Sequence, residues 1–209
     1  MIVLGLTGSI GMGKSTAADM LRVMGVPVHD ADATVHALFA RDRDMRAAIA
    51  ARFPYAVADP AGEGGVDRQA LGAAVFGNAA ARRDLEAIIH PRVRAATEGF
   101  LRLHRRQRRP LVVLDIPLLY ETGGEDRVDG VIVVSAPAWL QRRRVMVRPG
   151  MDGERFAGIL ASQMPDREKR ARADFVVETG LGKAYTFRRL KRIVMAIRTA
   201  AQSGPPGTN

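Results

Sequence analysis

The 209-residue chain contains no cysteine. That absence excludes a disulfide framework and any thiolate metal site, and it fits a reducing compartment. Lysine is almost as scarce. Of 32 basic side chains only Lys14, Lys169, Lys183 and Lys191 are lysines, and the others are arginines. No apolar run approaches the length that crosses a bilayer. The opening residues carry neither the charged segment nor the long apolar core of a secretory signal. A soluble cytoplasmic protein without a membrane partner is therefore expected.

What is present points to a folded, basic protein. Apolar residues make up 47% of the chain, enough for a sizeable core, and the length suits one domain with an inserted lid or subdomain. The formal net charge is +10 and the isoelectric point is near 11.0. Such a balance permits nucleic acid or a polyanionic small substrate, although an arginine-rich solvated surface is the favoured source of the charge. Against that background Lys14 stands out. A compact ammonium has been placed where a guanidinium would crowd a tight phosphate nest.

Apolar runs alternate with helical periodicity along the chain. Strands are expected at 2–6 (IVLGL), 26–32, 110–115, 129–137 and 173–179. Helices are expected at 14–25, 34–42, 44–53, 67–78, 79–90, 91–109, 138–148, 152–164 and 183–201, with Pro91 opening one of them and Gly25 closing the first. Residues 54–66, rich in proline and glycine, read as a loop, and the tail from 202 as disordered. The alternation predicts an α/β fold with a mostly parallel sheet covered on both faces.

Residues 5–16, GLTGSIGMGKST, follow the first strand and open the first helix. Gly8, Gly13, Lys14 and Ser15 match G-x-x-x-x-G-K-[ST]. The glycines let backbone amides converge on phosphate oxygens, and the lysine reaches the β and γ phosphates. The serine hydroxyl ligates Mg²⁺, and the helix adds its positive end. Asp115 ends the strand LVVLD, where a carboxylate can hold the same ion or cap a helix. Asp30 and Asp32 in HDAD lie at the exit of the second strand. One of them can orient or deprotonate an attacking hydroxyl, or cap a helix beginning near Ala33.

Arg144 and Arg148 are four residues apart in QRRRVMVR and would share a helix face, whereas Arg143 reads as solvated. A mobile helix pair bearing them could close over a triphosphate and exclude water. The run RRQRR at 105–109 lacks interleaved aromatics and reads as a solvated connection rather than a nucleic-acid site. His90 precedes Pro91 at an apparent break between helices, a common setting for a packed or capping histidine.

Taken in order, LTGSIGMGKST, VHDAD, LEAIIHPRV, DIPLLYE, QRRRVMVR and SQMPDREKRARAD resemble the dephospho-coenzyme A kinase family over nearly the whole length. The resemblance implies a P-loop kinase-type three-layer fold with a five-stranded sheet. Its core would comprise residues 1–30, 109–137 and 173–201, with a helical substrate region at 31–108 and a lid at 138–165. It further implies transfer of the γ-phosphoryl group of ATP to the ribose 3′-hydroxyl of dephospho-CoA, the last step of CoA synthesis, with Mg²⁺.

Carried over by position, Asp32, Lys14 and Arg144 are the expected catalytic groups. ATP is expected at Gly8, Gly11, Met12, Gly13, Lys14, Ser15, Thr16 and Arg148. The acceptor is expected at Thr7, Asp32, His90 and Asp115, and the metal at Ser15 and Asp115. Ser9 stands where the family often has a second glycine and Met12 where a small residue is usual. Pro149 replaces a usual acidic residue, and Thr179 a common asparagine. These departures bear on lid geometry and adenine contacts. The rivals are another small-molecule P-loop kinase, a nucleotide switch (disfavoured by the missing Asn/Thr-Lys-x-Asp signature) and a nucleic-acid binder. Monomeric action on ATP and dephospho-CoA, without specific nucleic acid, is the expectation.

Overall fold

The computed structural model describes residues 1–57 and 65–202. Most of the expected 54–66 loop and residues 203–209 of the expected tail lie outside the described residues. Pro54–Ala56 forms a 3₁₀ turn, and Val57 and Val66 make an isolated antiparallel bridge. The chain divides into two compact units, one of Met1–His29 with the chain from Leu103 onward, the other Asp30–Arg102.

The first unit carries the sheet. Its strands are β1 (Ile2–Thr7), β2 (Val28–Asp30), β3 (Leu111–Asp115), β4 (Gly130–Ser135) and β5 (Phe175–Glu178), in the spatial order β2-β3-β1-β4-β5. The β1–β3, β1–β4 and β4–β5 ladders are parallel, with Leu6 opposite Asp115, Thr7 opposite Val133 and Ser135 opposite Glu178. Side chains alternate across the strands and so divide the core in two. Leu4, Leu6, Ile132 and Val134 face Ala17 and Leu21 of α1 (Lys14–Val23) and Leu190 and Val194 of α9 (Lys183–Gln202). Val131 and Val133 pack with Leu119 and Tyr120 on the other face. Because the ladders run parallel, the carboxyl ends of β1, β3, β4 and β5 open on the same edge, where ligands bind in such sheets.

Three further helices of this unit follow β4: α6 (Ala138–Met146), α7 (Gly153–Ala161) and α8 (Asp166–Arg172). The sequence reading lacked α8, whose residues DREKRAR carry no apolar stripe. It also carried the first of these helices on to Arg148. The helix ends at Met146, and Arg148 lies in the turn beyond its cap Val147, so Arg144 and Arg148 do not share a helical face. Pro149 disfavours helical backbone at the residue before it.

The second unit is helical: α2 (Ala31–Arg41), α3 (Arg43–Arg52), α4 (Arg68–Val75) and most of α5 (Ala79–Arg106). Met45, Ile49, Phe53, Leu71 and Ala81 form its own core. Two expectations are corrected here. The strand expected at 26–32 ends at Asp30 and the helix expected from 34 begins at Ala31, so of the two aspartates Asp30 is the N-cap, accepting from Ala33 N at 2.9 Å. The helices expected at 79–90 and 91–109 are one helix of 28 residues with Pro91 inside it. His90 is therefore mid-helix and exposed, not at a break. Proline removes only its own N–H, so the remaining hydrogen bonds of the helix need not be lost with it. Among the described residues no helix is long and apolar enough to cross a membrane.

Candidate active site

Residues 8–13 form the turn between β1 and α1. Gly11 and Gly13 have φ of +76° and +91°, backbone that a side chain would strain. Aspartates cap α2, α3, α4 and α7, but α1 opens on Gly13 with no side-chain cap. Its first amides thus keep their hydrogen-bonding capacity for an anion, and the helix dipole favours negative charge at that point.

The next residue supplies the cation. Lys14 Nζ lies 2.5 Å from Asp115 Oδ1, with side chains 18% and 2% exposed. The β1–β3 register places Asp115 opposite Leu6, just before the turn begins. Ser15 and Thr16, which follow on α1, are exposed. Thr7 is buried and donates its hydroxyl to Pro117 O at 3.0 Å.

The turn is held from outside by residues the sequence reading did not single out. Ile10 N–H donates to Gln163 Oε1 at 3.0 Å, and Gln141 Nε2 donates to Ile10 O at 2.8 Å. Both peptide polar groups of Ile10 are thereby engaged by glutamines, one from α6 and one following α7. Arg144 donates to Thr179 Oγ1 and O at 3.0 and 2.9 Å and to Gly11 O at 3.3 Å. Thr179 in turn donates to Met12 O at 2.6 Å. The only sequence signal for the glutamines is that each lies inside a motif that carries the family resemblance, QRRRVMVR or SQMPDREKRARAD.

Behind Gln163 lies an ion pair. Lys169 of α8 is fully buried and meets Glu121 Oε1 at 2.7 Å. The same oxygen accepts Met164 N–H at 2.8 Å. Burial by itself would raise the Glu121 carboxyl, but the Lys169 ammonium and the Met164 amide outweigh it and hold it below the usual range.

Asp32 and His90 belong to the second unit, Asp32 exposed in the first turn of α2 and His90 exposed on α5. Asp30 is committed to its capping bond, which leaves Asp32 as the carboxylate of the pair without that duty.

A model of the dephospho-CoA kinase family matches residues 2–182. The dephospho-CoA kinase of Paramagnetospirillum magneticum is 61% identical over 99% of this chain and 96% of its own length. That of Mesorhizobium japonicum is 57% identical over 87% and 89%. The chain belongs to the dephospho-CoA kinase family. Among solved structures, TT1252 from Thermus thermophilus superposes with a TM-score of 0.80 at 39% identity, covering 93% of this chain and 96% of that one. The dephospho-CoA kinase from Campylobacter jejuni gives 0.64 at 25% identity over 93% and 96%.

The departures from dephospho-CoA kinase habit now have physical settings. Met12 is buried in the main core, and its sulfur lies 3.1 Å from Ala136 N. Ser9 is buried and uses its carbonyl to accept Met12 N–H at 3.1 Å. Thr179, set against the adenine side in the sequence reading, is tied to the phosphate turn and to Arg144.

Proposed function

We infer that the chain transfers the γ-phosphoryl group of ATP to the ribose 3′-hydroxyl of dephospho-CoA, giving CoA and ADP, the last step of CoA biosynthesis. The observation that carries this reading is the uncapped start of α1 with Lys14 poised against Asp115, in a chain of this family. In phosphoryl transfer the protein chiefly positions its substrates and neutralises charge.

In this reading the amides of residues 8–16 cradle the ATP phosphates, with Gly8, Gly11, Met12, Gly13, Ser15 and Thr16 lining the turn. Lys14 neutralises the β and γ phosphates. Arg148, released from the helix, is free to approach the triphosphate from the lid. Arg144, expected to be catalytic, is better supported as a positioning residue, since its donors are directed to Gly11 O and Thr179. Asp32 receives and orients the 3′-hydroxyl, with His90, Thr7 and Asp115 on the acceptor side.

The Ser15 hydroxyl and the Asp115 carboxylate are hard oxygen donors of the kind Mg²⁺ prefers. Among the described residues no group of three His, Asp or Glu could hold a metal alone, which suits an ion that arrives with the nucleotide and keeps most of its water. Such an ion supplies charge neutralisation on the phosphates. The same reading places the reaction in the cytoplasm, with a monomer acting on two soluble substrates.

The test is to incubate the protein with Mg-ATP and dephospho-CoA and follow ADP and CoA by mass, with nucleoside monophosphates as competing acceptors. One CoA formed per ADP supports the reading. ADP formed only with another acceptor would reassign the substrate.

A further inference from the structure

We propose that a second anion site lies at the amino edge of the sheet and takes a small diphosphate-bearing molecule. An open pocket of about 560 Å³ lies there, lined by Arg105, Arg108 and Arg109 together with Met1, Ile2 and Pro110. Its size falls within the range of small-molecule pockets. Ile2 begins β1 and Thr7 ends it. At roughly 3.3 Å per residue the strand separates this cavity from the phosphate turn by about 16 Å. The two sites are therefore distinct.

The backbone supplies an independent reason to assign a ligand. Helix α5 closes with Arg108 N–H on Arg105 O and Arg109 N–H on His104 O, both at 3.0 Å. Helix α1 closes in the same way, with Gly25 N–H on Arg22 O at 2.9 Å and Val26 N–H on Leu21 O at 3.0 Å. Both are the paired closure that calls for left-handed backbone at one residue. In α1 that residue is Gly25, with φ +72°. In α5 it is Arg108, with φ +52°, the one non-glycine residue of positive φ among those described.

Cations at a helix carboxyl end complement its dipole, which accounts for Arg105. It does not account for a strained arginine at the one position where glycine is cheapest. The arginine stands there against the backbone's preference and lines the pocket beside it.

Arg105, Arg108 and Arg109 are exposed, and no ion pair to a carboxylate is found for them among the described residues. Their guanidinium forks suit phosphate oxygens. The concave shape and the lack of an aromatic among residues 105–109 favour a small ligand over a nucleic-acid strand, which would use a longer groove with stacking platforms. The apolar part of the lining, Met1, Ile2 and Pro110, suits an organic substituent on the diphosphate.

The test uses the full chain with its phosphate turn filled by a non-hydrolysable ATP analogue and Mg²⁺, at 0.15 M salt. Calorimetry then follows inorganic pyrophosphate and, in parallel, isopentenyl diphosphate. Binding is expected in the wild type and at least about tenfold weaker in Arg108→Gly, and weaker still with Arg109→Ala added. Tighter binding of the ester would assign the apolar lining to the ligand, and equal binding would assign the arginines alone.

Arg108→Gly relieves the left-handed strain, so its melting temperature should equal or exceed that of the wild type by about 1–3 °C. That keeps loss of binding separate from loss of fold. No uptake by the wild type at millimolar pyrophosphate, or undiminished uptake by the double variant, would overturn the proposal. Displacement of pyrophosphate by a DNA or RNA duplex of higher affinity would overturn it in favour of a nucleic-acid surface.

Discussion

Thr179 donates its hydroxyl to Met12 O at 2.6 Å and accepts Arg144 Nη1 at 3.0 Å, so one side chain joins the end of β5, the phosphate turn and helix α6. Thr179→Val keeps the shape and deletes both bonds. Leaving a buried carbonyl unpaired costs about 1–3 kcal/mol. The melting temperature should fall by several degrees and KM for ATP should rise with a smaller change in kcat. Thr179→Ser should restore both. A valine variant with wild-type KM and stability would show that the turn holds its shape without this residue.

Gly8 fails for a different reason. A Cβ there would lie 2.5 Å from Val134 Cγ2 and 2.7 Å from Val134 O. Side chains can rotate away, but the carbonyl belongs to β4 and cannot. Overpacking of this kind costs about 1–3 kcal/mol. Gly8→Ala should lower the melting temperature and weaken nucleotide binding at least tenfold, as read by calorimetry. Binding at wild-type strength would place the phosphates away from this turn.

Lys14→Ala removes the ammonium that lies 2.5 Å from Asp115. Loss of a group aimed at developing charge typically costs about 10²–10³ in rate. Phosphoryl transfer should fall by that factor or more while the variant still melts cooperatively. Full activity would remove Lys14 from the chemistry.

For Asp32→Asn the two kinetic constants should separate. A group that orients or deprotonates the acceptor acts in the transition state, so kcat should fall by about 10²–10⁴ while ATP affinity changes little. An unchanged kcat would eliminate Asp32, and a matching loss in Asp30→Asn would transfer the role to its neighbour.

Much of the site was legible because its residues are local in sequence. Gly8, Gly13, Lys14 and Ser15 fall within eight consecutive positions, and Asp115 was marked by the apolar strand it ends. Five strands were legible for the same reason, being short apolar runs bounded by turns. His90 was misplaced because a proline inside a helix and a proline opening one look alike in sequence. Arg148 was misplaced because helical spacing was carried into the residue before Pro149. Helix α8 escaped because it buries one lysine rather than an apolar stripe. The bonds of Gln163 to Ile10 and Thr179 to Met12 span 153 and 167 residues, and no periodicity records such partners.

Glu121 makes the support behind the turn testable by pH. Its side chain is 15% exposed, and burial would push its carboxyl up, yet Lys169 and the Met164 amide hold it below the ordinary value. A carboxyl depressed in the folded state contributes stability that is complete above its unfolded value, near 4.3. That contribution is lost as pH falls through the lower folded value. Glu121→Gln lacks this titration and leaves the fully buried Lys169 without its anion, at a cost of about 3 kcal/mol. The melting-temperature gap between wild type and variant should therefore be widest near pH 7 and narrow on acidification below about pH 4. Because Met164 is the neighbour of Gln163, which holds Ile10, the variant should also raise KM for ATP at pH 7. A gap that stays constant down to pH 3 would mean that the pair is not formed in the folded protein.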